Sequence, residues 1–131
     1  MLVFLVRHAH ADPGEPDDSR PLSARGQEEA LALAERLAAH ATPPRLVLTS
    51  PLLRARETAE AIVGATSAEL LLDTRLAPGT TLDDLQEALA GTDGPVAVVC
   101  HQPDCSEIAL SLTGNDPGFP PGSFAEISLE D

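Results

Sequence analysis

The sequence predicts an α/β domain of three layers, with helices on both faces of a mostly parallel sheet. Two observations predict it. First, short apolar runs that read as strands alternate along the chain with segments whose apolar residues recur at helical spacing. Second, the runs Leu2–Val6 and Val96–Val99 are apolar without interruption, the pattern of strands covered on both faces. At 131 residues the chain is expected to be one domain, 1–131, with a modest core.

The elements follow in order. Leu2–Val6 is the first strand, and it runs directly into Arg7-His8. The segment Asp12 to Pro21 is acidic, holds three prolines and a glycine, and reads as a surface loop. Ser23 is the N-cap of a helix running to about His40, with Ala30, Leu33, Ala34 and Leu37 on one stripe. Leu46–Leu48 is the second strand. The helix after it is expected to take Ser50 as N-cap and Pro51 as its first residue, where a missing N–H costs nothing. Its stripe is Leu52, Ala55, Ala59, Ile62 and Val63. Leu70–Leu72 is a third strand, and a helix starts at Thr81 and stops at Gly91. Val96–Val99 is the fourth strand, followed from about Pro103 by a helix carrying Ile108, Ala109 and Leu112. Phe124–Leu129 alternates between apolar and polar residues, which predicts an edge strand with one wet face.

Composition removes several function classes. Hydrophobic residues make up 43%, but aromatics only 2%, with no Trp or Tyr. Base-stacking nucleic-acid readers need aromatic platforms. The net charge is −13, and that field repels nucleic acids and anionic membranes. All eight cations are Arg, so an anion site must be a local cluster of guanidiniums, which grip phosphate bidentately. The N-terminal apolar run of five residues lacks a basic start and is too short to span a membrane. The two cysteines, Cys100 and Cys105, are too few for a disulfide scaffold, so a reduced, cytoplasmic protein is expected. Cys100, His101 and Cys105 lack a fourth ligand and the usual spacing for a metal, and no metal or other cofactor is expected.

In sheets of this kind ligands bind outside the carboxyl ends of the strands. The first strand delivers Arg7 and His8 there. The second delivers Thr49 and Ser50, then a helix whose first turn holds Arg54. The fourth delivers Cys100 and His101, then Gln102-Pro103 at the mouth of another helix. Imidazoles, guanidiniums and helix N-termini converging on one rim suit phosphoryl transfer without a metal. Taken singly, each residue has a structural reading: a strand-end His satisfied by its neighbours, or a surface Arg on a helix. Arg7 is the exception, because a cation directly after a buried strand is costly without an anion.

Four blocks in order carry a resemblance. "LVRHAHA", "RPLSARG", "TSPLLRARET" and "VVCHQPD" resemble the motifs of the histidine phosphatase superfamily, which has the phosphoglycerate-mutase-like fold. Order, spacing and length are most similar to the SixA-like phosphohistidine phosphatases. The likeness runs from Leu2 to about Leu129. It implies that His8 is the nucleophile that becomes phosphorylated. It implies also that Arg7 and Arg54 clamp the phosphoryl oxygens and that His101 hydrogen-bonds the group and helps carry its charge. The amide of Gln102 joins the pocket in this reading.

Some features depart from the family pattern. The signature is Arg-His-Ala, as in the SixA-like branch. Cys100 stands where a small residue is usual, and reads as a buried hydrophobe pointing away from His101. Arg75 stands where many relatives place a carboxylate general acid. The acid is either absent or supplied by Asp12, Glu15 or His10, and His10 reads equally as an exposed loop histidine. Arg20 is expected to pair with the acids of its own loop rather than reach the pocket rim, and Glu57 and Thr58 to support their helix. An absent acid matters less for a phosphohistidine, whose leaving imidazole has a conjugate-acid pKa of about 6.5. The short connection Asp73 to Thr80 leaves the site unroofed, which suits a phosphorylated side chain on a protein. The expected partner is therefore a phosphohistidine protein, with a small phosphate ester as the alternative. A catalytically silent phosphate-binding module is the reading from another class. Acidic partner proteins are disfavoured unless the mouth is locally basic. With the chain ending at Asp131, directly after the last strand, a minimal version of the fold is expected.

Overall fold

The computed structural model describes residues 1–130; the terminal Asp131 lies outside the described residues. In chain order the regular elements are β1 (Leu2–Arg7), α1 (Ala24–Ala38), β2 (Leu46–Thr49), α2 (Leu53–Thr66), β3 (Glu69–Leu72), α3 (Leu82–Leu89), β4 (Val96–Cys100), α4 (Asp104–Thr113) and β5 (Phe124–Ser128). Two short 3-10 turns, Asp17–Ser19 and Thr74–Leu76, interrupt the loops.

The sheet order is β3-β2-β4-β1-β5. All pairings are parallel except β1 with β5, which is antiparallel. Side-chain alternation along the central strands divides the core into two layers. Val3, Leu5, Val96, Val98 and Cys100 face one side and pack with Leu85 and Leu89 of α3 and Cys105 and Ile108 of α4. Phe4, Val6, Ala97 and Val99 face the other side and pack with Leu33 and Leu37 of α1 and Ala55, Ala59 and Ile62 of α2. Each such aliphatic side chain contributes roughly 1.5–3 kcal/mol when taken fully from water. This is the three-layer α/β arrangement the sequence predicts. Among the described residues no helix is long and apolar enough to cross a membrane.

Three local expectations need correction. Ser50 does not cap α2, and Pro51 is not its first residue. The N-cap is Leu52, with no side-chain cap, and the helix begins at Leu53. The reason is that Ser50 still belongs to the sheet: its amide donates to Val99 O at 3.0 Å, continuing the ladder beyond β2. β3 is less buried than an apolar run suggests, with Leu71 and Leu72 about half exposed, because it is an edge strand. α3 is shorter than Thr81 to Gly91; Thr81 is its N-cap in a reciprocal capping box with Asp84, and Ala90 its C-cap.

α1 does start from Ser23, whose hydroxyl accepts from Gly26 N at 3.0 Å. Gly26 allows the start of α1 to lie against the turn after β1. A Cβ at this position would sit 1.8 Å from His10 O.

Candidate active site

Strand register brings the two histidines together. β1 and β4 are parallel neighbours, with Arg7 paired to Cys100. The next residue on each strand is therefore the other's neighbour, and His8 N donates to Cys100 O at 3.2 Å. The His8 and His101 rings lie 5.0 Å apart, close to the ~4.8 Å spacing of adjacent strands. Both continue the parity of Val6 and Val99, toward the α2 side of the sheet.

His8 is half-buried, and its Nδ1 lies 2.7 Å from Ala9 O. A carbonyl only accepts, so Nδ1 carries the proton of the neutral ring and Nε2 keeps its lone pair. Burial lowers the His8 pKa to about 4. The Ala9 carbonyl opposes that shift, and the cations Arg54, Arg7 and Arg20 reinforce it. His101 is buried and is lowered to about 3, mainly by burial, then by His8 and Arg54. Both rings are thus neutral at pH 7. His101 Nε2 lies 2.7 Å from Ser50 Oγ, while its Nδ1 is buried without a partner among the described residues.

Arg54 is buried to 7% exposure on the inner face of α2, not on its surface. Its Nη1 donates to Asp17 O at 2.8 Å and its Nη2 to Asp17 Oδ2 at 3.1 Å. Arg7 Nη1 donates to Phe119 O at 2.7 Å, and Arg7 Nε is buried without a partner among the described residues. The structure therefore sets both guanidiniums and both imidazoles at one rim of the sheet, each Arg keeping donor capacity beyond its present bonds. Gln102 is placed differently from the others. Its side chain folds back over α4, accepting from Ser106 N at 2.9 Å and donating to Ser106 Oγ at 2.8 Å. A role at the rim is left to its backbone amide.

The remaining polar residues are accounted for one by one. His10 is half-buried rather than an exposed loop histidine: its Nδ1 lies 2.7 Å from Ser23 Oγ and its amide donates to Glu29. Arg20 pairs within its own loop, to Asp12 O and Asp17 Oδ1. Arg75 is held bidentately by Asp73, at 3.0 and 2.8 Å. Cys100 and Cys105 face each other at 3.1 Å in the core behind the rim, while His101 turns to Ser50. Those three side chains do not converge on a point.

Four contributors were not legible as such. Asp17 is the carboxylate that reaches Arg54, and the guanidiniums of Arg20 and Arg54 hold its pKa below the usual range. Thr58 and Glu57 do more than support their helix. Thr58 Oγ1 accepts from Ala9 N at 3.0 Å and donates to Arg54 O, which ties the His8 turn to α2. Glu57 accepts from Leu22 N. Gly122 N donates to His8 O at 3.1 Å and so closes the turn from the other side. The only sequence signal for Thr58 and Glu57 was their place in the block around Arg54.

The histidine phosphatase superfamily (branch 1) model matches residues 3–78. The chain belongs to that superfamily. An uncharacterized protein of Picosynechococcus sp. (strain PCC 7002) is 35% identical over 128 residues, covering 88% of this chain and 77% of its own. Among solved structures, the protein histidine phosphatase SixA complexed with tungstate superposes with a TM-score of 0.84 at 29% identity, covering 99% of this chain and 89% of that one. A candidate phosphohistidine phosphatase SixA from Agrobacterium tumefaciens gives 0.84 at 27% identity, with 95% and 89% covered. A mycobacterial glucosyl-3-phosphoglycerate phosphatase shares the fold at 21% identity and a TM-score of 0.74, with 97% and 90% covered. The superfamily and its SixA-like neighbours support phosphatase activity for this chain, on the phosphoglycerate-mutase-like fold.

Proposed function

We propose that this protein is a metal-independent phosphatase that forms a phosphohistidine on His8 and acts on phosphohistidine carried by a protein. The observation that carries this is the free lone pair of His8 Nε2 on an accessible ring beside Arg7, Arg54 and His101. In the first step His8 Nε2 bonds to phosphorus and the bond from phosphorus to the leaving nitrogen breaks. In the second step water attacks phosphorus, phosphate leaves, and His8 is restored. Arg7 and Arg54 hold the phosphoryl oxygens, with His101 and the Gln102 amide as further donors. Positioning and fixed charge supply most of such a barrier reduction. His101 contributes as a neutral donor, since its lowered pKa argues against a standing charge.

Two observations favour a phosphohistidine substrate over an alkyl ester. Arg75, which by the family resemblance stands where a carboxylate acid is usual, is neutralised by Asp73. Asp17, which does reach the site, is held ionised and has no proton to give. A leaving imidazole needs that proton least.

The test compares turnover of a phosphohistidine-bearing protein with p-nitrophenyl phosphate and sugar phosphates, each with and without EDTA. The highest kcat/KM is expected for the phosphohistidine protein, unchanged by EDTA. A preference for sugar phosphates would move the substrate to small esters. Activity lost in EDTA would remove the mechanism, and inactivity on every substrate would leave a phosphate-binding module.

A further inference from the structure

Ser50 has the composition of a helix cap, but its side chain is otherwise engaged. It is fully buried, its Oγ lies 2.7 Å from His101 Nε2, and it accepts a longer bond of 3.3 Å from Leu52 N. A serine hydroxyl has one proton to donate. Among the described residues His101 Nε2 is the one acceptor placed to take it. The opposite polarity, with Nε2–H donating to Ser50, would strand the buried hydroxyl proton as well as the buried Nδ1 lone pair. Leaving a buried polar group unpaired costs about 1–3 kcal/mol, so the first arrangement is favoured.

We propose that Ser50 is a positioning residue that fixes His101 in the tautomer with its proton on Nδ1, so that the unpartnered Nδ1–H becomes a hydrogen-bond donor to the phosphoryl group on His8. The inference deepens the proposed function and rests on it for the identity of the acceptor. Among the described residues His101 Nδ1 is buried without a partner, and its ring lies obliquely against His8 at 5.0 Å. A phosphoryl oxygen arriving at His8 would supply the missing acceptor. Because the ring is neutral, it has one N–H only, and which nitrogen bears it decides whether His101 assists the transfer or turns a lone pair toward anionic oxygens. Ser50 lies on the chain immediately before the helix that carries Arg54, so the same segment supplies a phosphate-binding cation and sets the neighbouring donor.

The test is nitrogen NMR of the full chain with 15N-labelled histidine, combined with kinetics. In the wild-type protein the His101 Nδ1 resonance should be that of a protonated nitrogen and Nε2 that of an unprotonated one. Ser50→Ala should mix the two tautomers and lower kcat by roughly tenfold to a hundredfold, below the loss of a whole oxyanion donor. KM should change less than kcat, and Ser50→Thr, which keeps the hydroxyl, should recover activity. A protonated Nε2 in the wild type would overturn the proposal whether or not any variant folds. So would a wild-type kcat in Ser50→Ala. Failure of His8 to take up phosphate would instead overturn the proposed function, leaving the nitrogen assignment standing.

Discussion

Replacing Gly26 by Ala sets two effects of opposite sign against each other. Ala is the better helix former by up to about 1 kcal/mol. The gain is smaller here, since Gly26 lies in the first turn of α1. Against it, the added Cβ would meet His10 O at 1.8 Å, His10 C at 2.8 Å and His10 N at 3.1 Å. All three are backbone atoms, so no side-chain rotation relieves the contact. Overpacking of this kind costs typically 1–3 kcal/mol, and a 1.8 Å approach to backbone belongs at the upper end. The net expectation is a loss of about 2 kcal/mol. At urea slopes typical of small proteins that moves the midpoint down by about 1 M. His10 is two residues from His8, and its carbonyl also accepts from Ser23 N, so kcat should fall as well. Gly64 of α2 is the internal control. Nothing lies within 4 Å of a Cβ built there, so Gly64→Ala should raise stability by about 0.5–1 kcal/mol. The assay is urea denaturation of both variants beside the wild type. Gly26→Ala as stable as the wild-type protein would refute the close-approach argument.

Four further outcomes are expected. Thr58→Val strands the buried amide of Ala9 and should cost about 1–3 kcal/mol in urea denaturation, with Thr58→Ser recovering most of it; a Val variant of unchanged stability would contradict the contact. The His8 and His101 pKa values are depressed in the folded chain, to about 4 and about 3, so the unfolded chain takes up protons first on acidification. Their contribution to stability is therefore full above pH 6.5 and falls as pH drops from there toward 4 and 3. For the same reason the acid limb of kcat/KM, corrected for ionisation of the substrate, should lie near pH 4; a limb at 6.5 would mean an unperturbed His8. Asp17→Asn removes the carboxylate now facing Arg54 and should lower KM for p-nitrophenyl phosphate; a raised KM would show that Asp17 assists binding.

The sheet and the placing of Arg7, His8 and His101 at the ends of its strands were legible because their signals are local and periodic. An uninterrupted, Val-rich run such as Val96–Val99, short and bounded by Gly94-Pro95, has the pattern of a strand covered on both faces, and Arg7-His8 and Cys100-His101 follow such runs directly. Parallel pairing then places the ends together. What could not be read depends on contacts distant in sequence. Ser50 has the composition of a cap, yet Val99 O takes its amide and His101 its hydroxyl, and α2 starts at Leu53 instead. Asp17 lies in a loop whose composition says only that it is exposed; its bond to Arg54 spans 37 residues. Leu70–Leu72 is apolar, but edge position leaves it half covered, which no property of the run itself reveals. Arg54 looked like a surface residue in isolation, and its burial follows from sharing the inner face of α2 with Ala55 and Thr58.

Of all these expectations, the one closest to the chemistry concerns a single nitrogen. The Ala9 carbonyl holds His8 Nδ1 at 2.7 Å and leaves Nε2 free. Rapid acid-free quenching of the enzyme with a phosphodonor, followed by proteolysis under alkaline conditions and mapping of the phosphopeptide, should find phosphate on His8 at Nε2, with no label in His8→Ala. Phosphate on His8 Nδ1, on His101, or on neither histidine would contradict the account.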